Sequence, residues 1–127
     1  QQLVEVIALA VPKGYRGARR HFATKTFQAL RIAVNNELEA LALGLSAVWA
    51  HLIPSGRLAV ISFHSLEARL VKDQFREWVR TGTGQSITKH AIRPGREEII
   101  RNPRSRSATF RIICKTKHTS ITENGKR

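Results

Sequence analysis

His64 and Ser65 stand where an apolar run, LAVI at residues 58–61, gives way without a linker to a helical pattern. An imidazole at that point can serve as a general base, hydrogen-bond the edge of a nucleobase, or be a histidine fixed between strand and helix. All three readings stay open on the sequence. Ser65 lacks the flanking glycines of a G-x-S-x-G elbow, which argues against a hydrolase. No second His, Cys or carboxylate at metal-ligand spacing accompanies His64, so no zinc site is expected. A second polar group lies upstream. Gln28, Arg31 and Asn35 recur at i, i+3 and i+7, which aligns two amides and a guanidinium on one helix face. That face is either solvated or a set of donors for a phosphate or a polar ligand edge. Two basic loops follow the same logic. KGYRGARRH (residues 13–21) places Lys13, Arg16, Arg19 and Arg20 around Tyr15, which suits phosphates and a stacked base, or a solvated loop. Such contacts position a nucleic acid without reading its sequence. NPRSRSA (residues 102–108) packs two arginines and two serines into a turn, again either solvated or phosphate-binding.

Positioning these groups requires a strand that ends at Ser62, with helices on either side of it in the sequence. Leu58, Ala59, Val60 and Ile61 show no polar alternation, the mark of a strand covered on both faces, as in a parallel sheet flanked by helices. Pro54-Ser55-Gly56 supplies the turn into it. A strand that delivers polar residues at its carboxyl end just before a helix is how open α/β sheets form a ligand crevice. From an N-cap at Thr24 or Thr26, one long helix is expected to about Leu52, with Phe27, Leu30, Val34, Leu38, Leu41, Leu45, Val48 and Leu52 as its apolar stripe. Residues 66–79 read as another helix with Leu66, Leu70, Val71, Phe75 and Trp78 inward. Ser65 is its natural N-cap, and Ala68 cannot close a capping box with it. A short amphipathic helix over residues 1–11 ends at Pro12. Residues 86–92 and 109–115 read as strands, residues 96–101 as a helical turn stopped by Asn102-Pro103, and residues 116–127 as a disordered basic tail. The expected fold class is α/β.

The 127 residues suit one domain. A count of 22 Lys+Arg against 9 Asp+Glu leaves a net charge of +13, the electrostatic footprint of a nucleic-acid binder. The single cysteine, Cys114, excludes an intramolecular disulfide framework and fits a reducing compartment. No run approaches the roughly 18–20 apolar residues of a membrane span, and the N-terminus lacks the basic start of a signal peptide. With no initiator Met and a helical pattern already under way at the first residues, a piece of a longer protein is expected. A sheet lacking its first strands would expose an edge, through which a homodimer or looser association is expected. There is no G-x-G-x-x-G, no P-loop and no Cys/His cluster, hence no cofactor or metal site recognisable by motif.

Three blocks together resemble one family. ATKTFQALRIAVNNEL (residues 23–38), GRLAVISFHSLEARLVK (56–72) and RNPRSRSATFRI (101–112) are similar, in order and spacing, to the bacterial small-subunit ribosomal RNA cytosine-N4 methyltransferases. The resemblance implies an enzyme with a Rossmann-like S-adenosylmethionine domain and a helical domain inserted in it. Residues 1–22 would end the inserted domain and form a basic loop. Residues 23–115 would be the C-terminal half of the methyltransferase sheet: long helix, parallel strand, helix, antiparallel strand pair. The glycine-rich cofactor loop and acidic ribose-binding residue of such enzymes lie in the first half, so the S-adenosylmethionine site is expected mainly outside this chain, and the isolated chain is expected to be inactive. The implied substrate is a cytidine of small-subunit ribosomal RNA, and the implied location is the cytoplasm, with no membrane partner. The positions carried over as crevice-lining are Thr26, Gln28, Arg31, Asn35, Ser62, His64, Ser65, Glu67, Asn102, Arg104 and Ser105. Two departures stand out. The family usually has Pro where this chain has Phe22, which loosens the approach to the long helix. It usually has Asp where this chain has Ala68, and a carboxylate there would complete the cap with Ser65.

On this reading Phe63-His64-Ser65 forms one wall of a pocket for a flipped-out cytosine and Gln28, Arg31 and Asn35 form another. His64 and Ser65 are the catalytic candidates, and the basic segments hold the RNA backbone. The alternative is a non-catalytic basic RNA-binding module. A DNA-binding protein finds no support in a helix-turn-helix or zinc-finger pattern.

Overall fold

The computed structural model describes residues 2–12, 14 and 21–117. Lys13, Tyr15, Arg16, Arg19 and Arg20, and the tail from residue 118, lie outside the described residues. The chain divides into two compact units, Gln1–Ala40 and Leu41–Arg127.

In the first unit α1 (Gln2–Ala10) buries Ile7 and stops ahead of Pro12. Helix α2 spans Thr24–Asn35, and neither Thr24 nor Thr26 caps it. The N-cap position is the buried Ala23, which has no side chain to offer. Instead His21 Nδ1 accepts the Ala23 N–H at 3.3 Å, and the His21 ring stacks on Phe22 with centroids 4.4 Å apart. The approach expected to be loosened at Phe22 is thus braced by two stacked rings. The expected single long helix is two helices. Asn36 adopts a left-handed conformation, φ 50 and ψ 38, with its N–H bonded back to the Ile32 carbonyl, and α3 (Glu37–His51) starts afresh. Asn tolerates this conformation better than most side chains. The break keeps Val34 and Leu38 four residues apart, so the stripe runs through it unbroken in the sequence. In space the N-terminal part of the stripe is not buried: α2 has no buried residue, and Val34 is 81% exposed.

The second unit packs α3 and α4 (Ser65–Arg80) on a three-stranded sheet in the order β1 (Arg57–Ser62), β3 (Thr109–Lys115), β2 (Gly84–Ser86), antiparallel throughout. TFRIICK, rich in β-branched and aromatic residues, takes the centre as β3, and its Ile113 is fully buried. The expectation that β1 is parallel and covered on both faces does not hold among the described residues. It pairs with β3 alone, antiparallel, from Arg57↔Cys114 to Ser62↔Thr109. Its burial alternates, Leu58 and Val60 packing on the core while Ile61 stays 58% exposed. The strand expected at residues 86–92 is shorter and earlier. After Ser86 the Thr88 hydroxyl accepts the Ile112 N–H at 3.1 Å, where a continuing strand would use a backbone carbonyl, and Ile92 adds one bridge to Phe110.

Leu45 and Trp49 from α3 and Val71, Phe75 and Trp78 from α4 close over Ile113. The Trp49 and Trp78 rings stack with centroids 4.1 Å apart and 7° between planes. Leu66, expected inward, is 44% exposed because α4 has only begun there. Gly84 is required by this packing: a Cβ would lie 2.8 Å from Ile113 Cδ1 and 3.2 Å from the Trp49 ring. Lys115 anchors the far end of α3. Its Nζ donates to the carbonyls of Trp49 (2.8 Å) and Ala50 (3.4 Å) in the last turn of α3 and to that of Leu52 (2.8 Å) just beyond it, the Trp49 carbonyl also accepting the Leu52 N–H at 3.4 Å. Pro54-Ser55-Gly56 then makes the expected turn, with Ser55 at φ 64 and the Gly56 N–H on the Ile53 carbonyl. Helix α5 (Arg96–Arg101) and a 3-10 helix (Pro103–Ser107) lead into β3. Thr116, assigned to the tail by the sequence, is tied down instead, its N–H on Thr83 O and its hydroxyl on Gly82 O. No helix among the described residues is long and apolar enough to cross a membrane.

Candidate functional site

The carboxyl end of β1 turns through Phe63 and His64 into α4. Ser62 is buried, and its Oγ lies 2.8 Å from the hydroxyl of Thr109, its partner across the ladder. The N-cap of α4 is His64, not Ser65. His64 Nδ1 accepts the Glu67 N–H at 3.3 Å, while Glu67 Oε2 reaches back to accept the N–H groups of Phe63 (2.9 Å) and His64 (3.3 Å). This is a reciprocal capping box with histidine in the place usually taken by Ser or Thr. The carboxylate that Ala68 was expected to lack is supplied one position earlier, by Glu67 at the third helical residue.

The cap fixes the tautomer of His64. A backbone N–H can only donate, so Nδ1 must present a lone pair, and the neutral ring then carries its proton on Nε2. Nε2 is buried without a hydrogen-bond partner among the described residues, with Glu67 Oε1 3.2 Å away. A carboxylate therefore does stand beside this histidine, contrary to the sequence reading. In this arrangement neither ring nitrogen is free to take a proton from a substrate: one lone pair is spent on the cap and the other nitrogen is already protonated. Ser65, at the first helical position, is exposed.

The third sequence block meets the same strand end. Ser105 is buried, and both its hydroxyl (2.8 Å) and its N–H (3.0 Å) donate to the Asn102 carbonyl, closing the 3-10 helix. Its side chain is thereby occupied, while Asn102 and Arg104 are exposed. The turn passes the chain to Thr109, and so to Ser62. Thr26, Gln28, Arg31 and Asn35 belong to the first unit. There Arg31 forks onto Glu37, Nε to Oε1 at 2.9 Å and Nη2 to Oε2 at 3.2 Å, and Asn35 Nδ2 joins the same carboxylate at 3.2 Å. Asn36 Nδ2 donates to Glu39. Arg31 and Asn35 thus stitch the break between α2 and α3. Thr26 is exposed and Gln28 half-buried.

The outer face of the sheet carries an apolar groove of about 250 Å³ formed by Ile61, Ile92, Pro94, Ala108 and Phe110, with Arg93 and Glu98 on its wall. S-adenosylmethionine would need polar partners for its ribose and amino-acid groups and an open glycine turn. Gly56 and Gly84 face their own chain, a Cβ at Gly56 meeting the Ile53 carbonyl at 2.7 Å. The open Gly82 lies in the helix-to-strand turn from α4 into β2, while the open Gly95 precedes a helix of only six residues. This groove does not fit that cofactor.

Comparison with known proteins agrees with the three blocks. The chain is 49% identical over 90% of its length to the ribosomal RNA small subunit methyltransferase H of Coprothermobacter proteolyticus. It is 52% identical over 89% to that of Koribacter versatilis and 44% identical over 90% to that of Symbiobacterium thermophilum. It spans 37%, 36% and 41% of the lengths of these relatives. The match to one family runs over residues 1–116, nearly the whole chain, and by it this protein belongs to the MraW methylase family.

Proposed function

We propose that this chain is the substrate-side part of an enzyme that transfers a methyl group from S-adenosylmethionine to N4 of a cytidine in small-subunit ribosomal RNA, acting in the cytoplasm. The observation that carries the reading is identity of 44–52% over about nine tenths of the chain to proteins named for that RNA. The net charge of +13 supports a polyanionic partner. S-adenosylmethionine would supply an electrophilic methyl group, held by residues outside those described.

The cytosine amine is a weak nucleophile because its lone pair is delocalised into the ring. Reaction needs the base out of its stack, an acceptor on the amine, and a rigid wall against which the base is aligned. In this chain the wall is the Ser62–Ser65 turn. His64 holds the turn and has no lone pair left for the amine, so of the two catalytic candidates Ser65, with an exposed hydroxyl, is the one left to meet the base. Asn102 and Arg104 extend the polar edge beside Thr109, and Thr26 and Gln28 offer polar groups to RNA on a helix face where Arg31 and Asn35 would have to share their contact with Glu37. Lys13, Arg16, Arg19 and Arg20 contact phosphates.

Two measurements test this. A protein of the relatives' length carrying this segment, incubated with small ribosomal subunits and radiolabelled S-adenosylmethionine, yields N4-methylcytidine on digestion. Retained RNA binding without that nucleoside would favour the non-catalytic RNA-binding module. Calorimetric titration of S-adenosylmethionine into the 127-residue chain gives no heat of binding; micromolar affinity would overturn the assignment of the cofactor site to residues outside it.

A further inference from the structure

We propose that Phe63 is a stacking platform for an unpaired RNA base, presented at the carboxyl end of β1 by the Glu67 carboxylate. The proposal rests on the reading of RNA as the partner. Around the turn the side chains of Ser62, His64 and Glu67 are engaged inward, while Ser65 and Leu66 are exposed. The Ser62 hydroxyl is on Thr109, the His64 side chain is 13% exposed with Nδ1 occupied, and Glu67 is turned onto the backbone. Phe63 is 53% exposed. Its backbone N–H is gripped by Glu67 Oε2 at 2.9 Å, and its chain neighbours are the buried Ser62 and the capping His64, so the ring is attached to a part of the backbone that is held on both sides. A platform whose backbone is already fixed loses little further freedom when a base settles on it.

The surroundings favour a base over a polypeptide. A flat aromatic face accepts any nucleobase. The Glu67 carboxylate is turned onto the backbone, Oε2 on the N–H groups of Phe63 and His64 and Oε1 facing His64 Nε2, and its single negative charge is outweighed by the net +13. Ile61, two residues earlier in the chain, opens onto the groove whose wall carries Arg93, a cation within the same sheet end for a neighbouring phosphate. Glu98 stands on the same wall, and the net charge of +13 outweighs it.

The test uses a protein of the relatives' length carrying this segment and a single-stranded RNA oligonucleotide carrying 5-iodocytidine, whose photocrosslinks form with stacked aromatic rings. We expect a crosslink in the peptide that contains Phe63. By anisotropy, Phe63→Leu and Phe63→Ala should weaken binding about tenfold and Phe63→Trp should stay within about twofold, with thermal midpoints unchanged. Crosslinks confined to other peptides, with Phe63→Leu binding as tightly as the parent, would overturn the proposal and leave RNA binding intact. Loss of melting temperature in Phe63→Leu and Phe63→Trp alike would overturn it in favour of a ring packed against polypeptide. Absence of any salt-sensitive RNA binding by the parent chain would remove the RNA reading itself.

Discussion

Truncating Glu67 to alanine would leave the N–H groups of Phe63 and His64 without their acceptor and open the end of α4. Loss of a cap of this kind costs about 1–2 kcal/mol. His64→Ala removes the other half of the same box, so the two changes should not add. We expect the double variant to be little less stable than the weaker single one, a coupling of about 1 kcal/mol in urea unfolding; strictly additive losses would show that the two halves act separately. Nitrogen chemical shifts of the His64 ring report the same arrangement, with the proton on Nε2. The sequence marked His64 as important but not what it does, because the familiar capping residues are Ser, Thr, Asp and Asn, and Ser65 next door satisfied that rule. The spacing His64-x-x-Glu67 was there to be read. Ser105 escaped for a different reason: a hydroxyl that closes a 3-10 turn and one that meets a ligand look alike until the carbonyl of Asn102 is placed 2.8 Å away.

Elements were legible where their signal is local. The strand expected over residues 109–115 forms as Thr109–Lys115, and the helical turn expected over 96–101 as Arg96–Arg101. The division of α2 from α3 was not, since a single left-handed Asn36 leaves the apolar spacing intact. Nor was the cap on α3, because its donor, Lys115, lies 63 to 66 residues along the chain from the carbonyls it serves. That long-range cap makes a prediction at this scale. Lys115→Met keeps the aliphatic stem against the Trp49 region but withdraws the ammonium from three carbonyls at a helix C-terminus. The expected loss is about 2 kcal/mol, seen as a lower urea midpoint with an unchanged slope. An unchanged midpoint would mean that water serves those carbonyls equally well.

At the scale of the whole molecule, composition announced the basic charge. The element pattern and the family resemblance gave the α/β class and the antiparallel pair of the last two strands, but the pairing of β1 with β3 was out of reach. Placing β3 between β1 and β2 depends on pairing β1 with β3 across 47 to 57 residues, which no local pattern encodes. The expectation of a sheet edge in need of a partner follows from that order. Among the described residues β1 is paired on one side only, and the outer face beside it presents Ile61, 58% exposed, and Ile92, 51% exposed. An unpaired, apolar edge strand is a template for further strands, and the charge that would keep copies apart is screened beyond about 8 Å at physiological ionic strength. The isolated chain should therefore associate, its weight-average sedimentation coefficient rising with concentration and rising further with added salt. Lysine at position 61 places a charge on that face, so Ile61→Lys should shift the association to higher concentration without lowering the melting midpoint. A chain that sediments as one monomer at every concentration, or an Ile61→Lys variant that associates as readily as its parent, would show that this edge is closed by some other means.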